Sequence, residues 1–388
     1  MEREYYLDNA STTYVYPQVV DEIAKTMNNI YGNPSSLHKK GIQASDVVEN
    51  SRKIIANYIN CKPSEIIFTS GACEANSLAI LGYMNASDTW FDRNLIVSPI
   101  EHKSIDMIAK KYNAVYDVHY APIFDDGLIR FDKFEDMLDT MKLTNMKPFV
   151  SIQGANSEIG TIQDIKRISD IVHKYNGVYH CDATQLFPYK RIDVQELGID
   201  MLSMSGQKIH APKGIGFLYV REGIELEPLI YGSQEKGIRG GTENVPYIAG
   251  LAKAIQMLTL KIFKEKPNIF HVRNYMEHQL KKKINNCMIN SDWSYCLPNN
   301  INISFNGIDA QDLITLLNME DIYVSSGSAC NSGSTEPSYV LKAVNVPDDY
   351  IMGTIRITLP DDFEYVDADF IVSRISYYVN SLRMFGEK

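Results

Sequence analysis

The chain has 388 residues, 45% hydrophobic and 22% charged, with 23 Gly and 15 Pro, an ordinary globular composition that excludes disorder and collagen-like repetition and predicts two or three domains. A net charge of −10, from 38 Lys+Arg against 48 Asp+Glu, argues against direct nucleic-acid binding, which needs a surplus of cations. No apolar run approaches a membrane span, and the opening MEREYYLDNA is acidic where a secretory signal would be apolar, so a cytoplasmic protein is expected.

After an N-terminal arm, residues 17–29 read as a helix, the loop YGNPSSLHKKG follows, and an amphipathic helix is predicted over 44–60. Strands and helices then alternate. EIIFTS (65–70) leads into the helical GACEANSLAILGYMNA, and LIVSPI (95–100) into SIDMIAKKY. AVYDVHY (114–120), KPFVSIQG (147–154), GVYHCDA (177–183), DMLSMS (200–205) and the hairpin-like GIGFLYV (214–220) are further strands. Short apolar strands separated by helices predict an α/β fold with a mostly parallel sheet covered on both faces. After about residue 256 the pattern changes. A long charged helical region leads to NINISF, the helical AQDLITLLNM, the small-residue loop VSSGSACNSGSTEPS, the strand TIRITLP and a final helix from about Tyr365. The expected division is 14–256 as a large domain, with 1–13 and 257–388 forming a smaller α+β domain.

In open parallel sheets, ligands sit beyond the carboxyl ends of the strands, and three predicted strand ends carry chemistry. Gly71, Ala72 and Cys73 open a helix, where free backbone N–H groups suit a phosphate. Asp182 ends VYHC, and Lys208 follows MLSMS within SGQK. A phosphate cradle, a carboxylate and a lysine together suggest pyridoxal phosphate, which lysine can hold covalently and carboxylate can keep protonated at its ring nitrogen. His102, in SPIEHKS, is placed to cover the ring. The cysteines are Cys61, Cys73, Cys181, Cys287, Cys296 and Cys330, and neither they nor the histidines have metal-site spacing. Cys330 stands among Gly, Ser, Asn and Thr, in a loop expected to be mobile and able to carry a thiolate to an acceptor.

The segments YLDNASTT (6–13), GNPSSLH (32–38), EIIFTSGACEAN (65–76), EHKS (101–104), NSEIGTIQDI (156–165), YHCDATQ (179–185), SMSGQKIHAPKGIGFLYVR (203–221), RGGTENVP (239–246), SSGSACNSGSTEPSYVLKAV (325–344) and TIRITL (354–359) closely resemble the cysteine desulfurase family. These are fold-type I pyridoxal-phosphate enzymes of the class V aminotransferase superfamily. The resemblance implies a seven-stranded sheet sandwiched by helices with a smaller α+β domain. It implies that Lys208 holds the cofactor and shuttles protons, His102 stacks on the ring, Asp182 pairs with the ring nitrogen and Gln185 bonds the ring hydroxyl. Ser205 would bind phosphate with Ala72, and Thr242 would reach the phosphate of a partner subunit in a homodimer. Arg356 would clamp the substrate carboxylate, with Asn33 helping to frame the site. Cys330 would take sulfur from L-cysteine as a persulfide, for a protein acceptor or iron–sulfur scaffold.

Three positions depart from the family pattern. Cys73 stands where the family usually has Thr, Gln207 where it has His, and Ser157 where it has a second Asn in Asn-Asn-Glu-Ile-Gly. The first two predict weaker retention of cofactor phosphate. Ser157 puts a shorter side chain near the ring hydroxyl or substrate carboxylate. Another class V aminotransferase, an amino-acid lyase, or a weakly active sulfur-relay scaffold remain as alternatives; the enzymes among them need no loop cysteine.

Overall fold

The computed structural model describes residues 4–86, 93–142, 147–262, 269–326 and 337–386. Its strands in chain order are β1 (Tyr5–Tyr6), β2 (Ile66–Thr69), β3 (Arg93–Val97), β4 (Val118–Tyr120), β5 (Lys147–Ser151), β6 (Val178–Asp182), β7 (Met201–Ser205), β8 (Gly216–Val220), β9 (Cys287–Ile289), β10 (Asn300–Phe305), β11 (Ile322–Tyr323), β12 (Ser325–Ser326) and β13 (Thr354–Thr358). Seven of them form one sheet in the order β2-β8-β7-β6-β5-β3-β4. All neighbours run parallel except at β8, which is antiparallel to both β2 and β7.

Both faces of this sheet are buried, which is why its strands read as nearly continuous apolar runs. Phe68, Ile96, Val150, Leu202, Met204, Phe217 and Tyr219 point into one core. Their chain neighbours Ile67, Leu95, Val97, Phe149, Met201, Leu218 and Val220 point into a second core on the opposite face, as the two-residue period of a strand requires. Helices Pro17–Asn29, Lys39–Ile59 and Val245–Ile262 pack together on the first face.

Strands β12-β13-β10-β9 form a separate antiparallel sheet. It shares a core with helices Ile269–Lys283, Ala310–Asn318 and Tyr365–Gly386, and with Leu7 of the N-terminal arm. The arm is anchored by β1, which pairs in parallel with β11, and by Leu7 O, which accepts the N–H of Thr358 at 2.7 Å. It then crosses to the large sheet, where the N–H of Thr13 donates to Gln207 O at 3.0 Å.

Two expected elements shift. The second helix starts at Lys39 rather than Ala44, because His38 Nδ1 caps it by accepting the N–H of Gly41. Imidazole is a cap that a search for Ser, Thr, Asp or Asn passes over. The strand expected over 114–120 is only Val118–Tyr120, since helix Lys103–Tyr116 runs through its first half. Tyr116 is buried and stacks on Tyr112 with ring centroids 5.1 Å apart, an i, i+4 pair that extends the helix.

Candidate active site

The carboxyl ends of β2, β3, β5, β6 and β7 open on one side of the large sheet, together with the amino end of the reversed β8. A cavity of about 350 Å³ lies there. Of the residues singled out from sequence, Ala72, Cys73, His102, Ser157, Asp182, Gln185, Ser205, Gln207, Lys208 and Arg356 all line it. Asn33 and Thr242 are exposed and line no part of it within the single chain. Cys330 lies outside the described residues.

Turn 70–73 follows β2. Gly71 has φ 151°, a conformation disfavoured for side chains, and a Cβ there would point to within 3.5 Å of Ser205 Oγ. Gly216 is needed beside it, because a Cβ would come within 2.8 Å of Gly71 Cα. The backbone of turn 70–73 and the Ser205 hydroxyl thus border the same part of the cavity.

Asp182, at the end of β6, is held from both sides. Oδ1 accepts the N–H of Thr184 at 3.0 Å and Oδ2 accepts Asn76 Nδ2 at 2.7 Å. Thr184 Oγ1, buried on the cavity wall, has no hydrogen-bond partner among the described residues. Lys208 Nζ donates to Ala10 O at 2.7 Å and also to Ser11 O, and Gln185 Nε2 donates to Ala10 O at 3.0 Å. His102 caps helix Lys103–Tyr116. Glu101 behind it is fully buried, and burial pushes its carboxyl well above the usual range; one oxygen accepts the N–H of Gln153 at 2.9 Å.

Arg356 comes from the small sheet. Its Nη2 reaches Asp8 Oδ1 at 2.6 Å and Ser11 Oγ at 2.7 Å, and Nη1 reaches Ser157 O at 2.9 Å. Nε is buried without a partner among the described residues. Residue 157 therefore holds the guanidinium through its carbonyl, a contact that does not depend on the side chain.

These residues fit pyridoxal phosphate. The open cradle at Gly71 suits a phosphate, the carboxylate lies at a strand end within the cavity, and the lysine ammonium faces the same space. Sequence reasoning missed Asp8, Ala10, Ser11, Asn76, Gln153 and Thr184. Asn76 lies within a quoted motif, but nothing in its spacing shows that it meets Asp182.

The architecture, a seven-stranded sheet with one reversed strand beside a smaller sheet domain, is that of the type I pyridoxal-phosphate enzymes. A family model described as aminotransferase class-V matches residues 5–364. The chain is 37% identical over 387 residues to cysteine desulfurase IscS of Dictyoglomus turgidum, covering 99% of this chain and 96% of that one. Among solved structures, a NifS-like protein aligns over 98% of this chain and 100% of its own, with TM-score 0.89 and 31% identity. A structure described as SspA in complex with cysteine aligns over 92% of this chain and 99% of its own, with TM-score 0.79 and 32% identity. The chain belongs to the class-V aminotransferase family and, within it, is similar to the cysteine desulfurases. That homology supports pyridoxal-phosphate-dependent enzyme activity of the sulfur-transfer kind.

Proposed function

We propose that this chain is an L-cysteine desulfurase that moves the sulfur of L-cysteine to Cys330 and releases L-alanine. The observation that carries the reading is the convergence of Lys208, Asp182, His102 and Arg356 on one cavity, in a chain similar to cysteine desulfurases and to SspA, whose structure is described as a complex with cysteine.

Pyridoxal phosphate, when bound, supplies the electron sink that loosens bonds around the substrate Cα. Asp182 would pair with the ring nitrogen, His102 would cover the ring, and Gln185 and Ser157 would serve the ring hydroxyl. Ser205, Ala72, Cys73 and Gln207 would hold the phosphate, and Lys208 would anchor the cofactor and move the Cα proton. Arg356 would clamp the substrate carboxylate as a bidentate fork, a role suited to a guanidinium. The substrate C–S bond breaks, the enzyme thiol takes the sulfur as a persulfide, and the former sulfur-bearing carbon gains a hydrogen. Cysteine and thiol thus become alanine and persulfide without an external oxidant or reductant.

Residues 14–256 hold the cofactor in this reading, while 1–13 and 257–388 bring Cys330 and the substrate clamp. Thr242 completes the site of a second copy, so the working form is a homodimer with twice the 44.0 kDa chain mass. Asn33 frames the site from the exposed early loop. The sulfur then passes to a protein acceptor or iron–sulfur scaffold in the cytoplasm.

Alanine release from L-cysteine, with mass spectrometry of the protein, tests this. Wild type is expected to gain one sulfur atom. Cys330→Ala should keep cofactor and bind cysteine yet gain none. An equal adduct in the variant would overturn the role of Cys330 and point to Cys73.

A further inference from the structure

We propose that Asn76 and Ser104 are positioning residues that fix His102 as an Nε2–H donor and tie it to Asp182. The catalytic consequence rests on the desulfurase reading above; the hydrogen-bond geometry does not.

The backbone N–H of Ser104 donates to His102 Nδ1 at 3.2 Å. An amide N–H can only donate, so Nδ1 bears the lone pair and the ring proton sits on Nε2. Ser104 Oγ lies 2.8 Å from the same Nδ1. Because that nitrogen carries no proton, the hydroxyl is the donor in this contact, and the two donors of Ser104 share the one Nδ1 lone pair. Ser104 Oγ is then free to accept, and Asn76 Nδ2 donates to it at 2.9 Å. The second proton of Asn76 Nδ2 goes to Asp182 Oδ2 at 2.7 Å. The reversed amide would set Asn76 Oδ1 against a carboxylate oxygen, two acceptors with no proton between them.

Every proton along Asp182, Asn76, Ser104 and His102 therefore has one direction. Asn76 is fully buried, and it spans from the helix after β2 to the helix after β3 and to the end of β6. Moving the ring proton to Nδ1 would lose the bond from the Ser104 N–H and turn the Ser104 hydroxyl from donor to acceptor. The imidazole thus presents its proton through Nε2, which leaves removal of the Cα proton to Lys208.

The test uses the cofactor-loaded full chain with ¹⁵N-labelled histidine, the His102 signals being assigned by their loss in His102→Asn. Wild type is expected to carry its ring proton on Nε2 alone. Ser104→Ala removes one neutral hydrogen bond, so the opposite tautomer should rise about tenfold, and Ser104→Thr should reverse the rise. Asn76→Ala should give a similar tautomer mixture and faster cofactor loss on dialysis. A wild-type proton on Nδ1, or Ser104→Ala populations equal to wild type, would overturn the proposal. Ser104 is only half-buried, so its variants carry the test if Asn76→Ala fails to fold. None of these readouts needs turnover. Absence of alanine release with the tautomer pattern intact would remove the desulfurase reading and leave the bridge standing.

Discussion

On the seven-stranded sheet the polar residues that face the cavity sit at or just past strand ends, as Asp182, Ser205 and Lys208 do. The four-stranded sheet instead sends Arg356 from the middle of β13. A sheet buried on both faces has no room for charge in mid-strand, so its chemistry gathers where the ladder stops and backbone groups come free. The smaller sheet buries a guanidinium in mid-strand, and three outside groups (Asp8, Ser11 and the Ser157 carbonyl) must meet it. Strand-end residues can thus be tuned with little cost to the fold, whereas the clamp is also a structural joint between the N-terminal arm, the small sheet and the cavity wall.

Lys208 gives the largest expected effect. Lys208→Ala should lower alanine release by at least roughly 10²–10⁴, the usual worth of a positioned acid–base group, while the urea midpoint hardly moves. A large loss of stability would break the contrast, because it would make a strand-end residue a structural joint too.

Arg356→Met should fail on both counts. Asp8 is left without its cation, and removing one partner of a buried pair costs roughly 3–5 kcal/mol. Asp8 keeps 21% side-chain exposure, so about 2 kcal/mol is expected in urea titrations. Arg356→Lys keeps the charge but not the fork, and its KM for cysteine should rise about tenfold with kcat less affected. Equal stability of Arg356→Met and wild type would show that the clamp is not a joint.

Two histidines stand in mid-strand on the large sheet, His119 of the edge strand β4 and His180 of β6, and only His180 is fully buried, which sharpens the rule. It stays neutral: Nδ1 lies 2.8 Å from Ser151 Oγ and Nε2 lies 2.9 Å from Ser203 Oγ. Burial lowers its pKa to about 4, with nearby Asp182 opposing. Because the folded value lies below the unfolded one near 6.5, protonation favours unfolding. The stabilisation is fully present above about pH 6.5 and is lost as pH falls towards 4, by roughly 3 kcal/mol. Urea titrations from pH 7.5 to 4.5 should show this fall in wild type and a flatter profile in His180→Gln. Parallel profiles would remove His180 as the source.

The succession of strands and helices and the strand-end positions of Asp182 and Lys208 were legible in sequence because apolar runs, turn residues and helix starts are local signals, whereas the order of strands across the sheet was not. Nor were the contacts of Arg356. Asp8 and Arg356 are separated by 348 residues, and no periodicity reports a pairing across that distance. Asn76 was hidden for a different reason: a buried asparagine in a helix looks like any polar residue until the chain folds Asp182 against it. His38 escaped notice as a cap, and Tyr116 looked like strand because aromatic residues favour strands in general.

The smallest expected effect concerns the side of the cavity proposed to hold phosphate, where Cys73 and Gln207 stand at positions for which the family resemblance implies Thr and His. Both line the cavity. Residue 207 is pinned through its backbone, since its carbonyl accepts Thr13 N at 3.0 Å and Thr13 Oγ1 at 2.9 Å, so its side chain can change without moving the strand end. Each replacement loses about one neutral or charge-assisted hydrogen bond to phosphate, roughly 1 kcal/mol apiece. Cys73→Thr with Gln207→His should therefore slow cofactor loss against a carbonyl trap by about thirtyfold. Thiol labelling gives a second reading of the same wall. Among the described cysteines Cys73 is exposed and Cys181 and Cys296 are buried, while burial pushes the Cys61 thiol up to about 12 and raises that of Cys287. Iodoacetamide at neutral pH should thus modify Cys73 ahead of those four in the cofactor-free protein, with cofactor slowing the reaction. If cofactor leaves Cys73 labelling unchanged, the phosphate does not sit against this turn, and the loss of a threonine there would carry no penalty for retention.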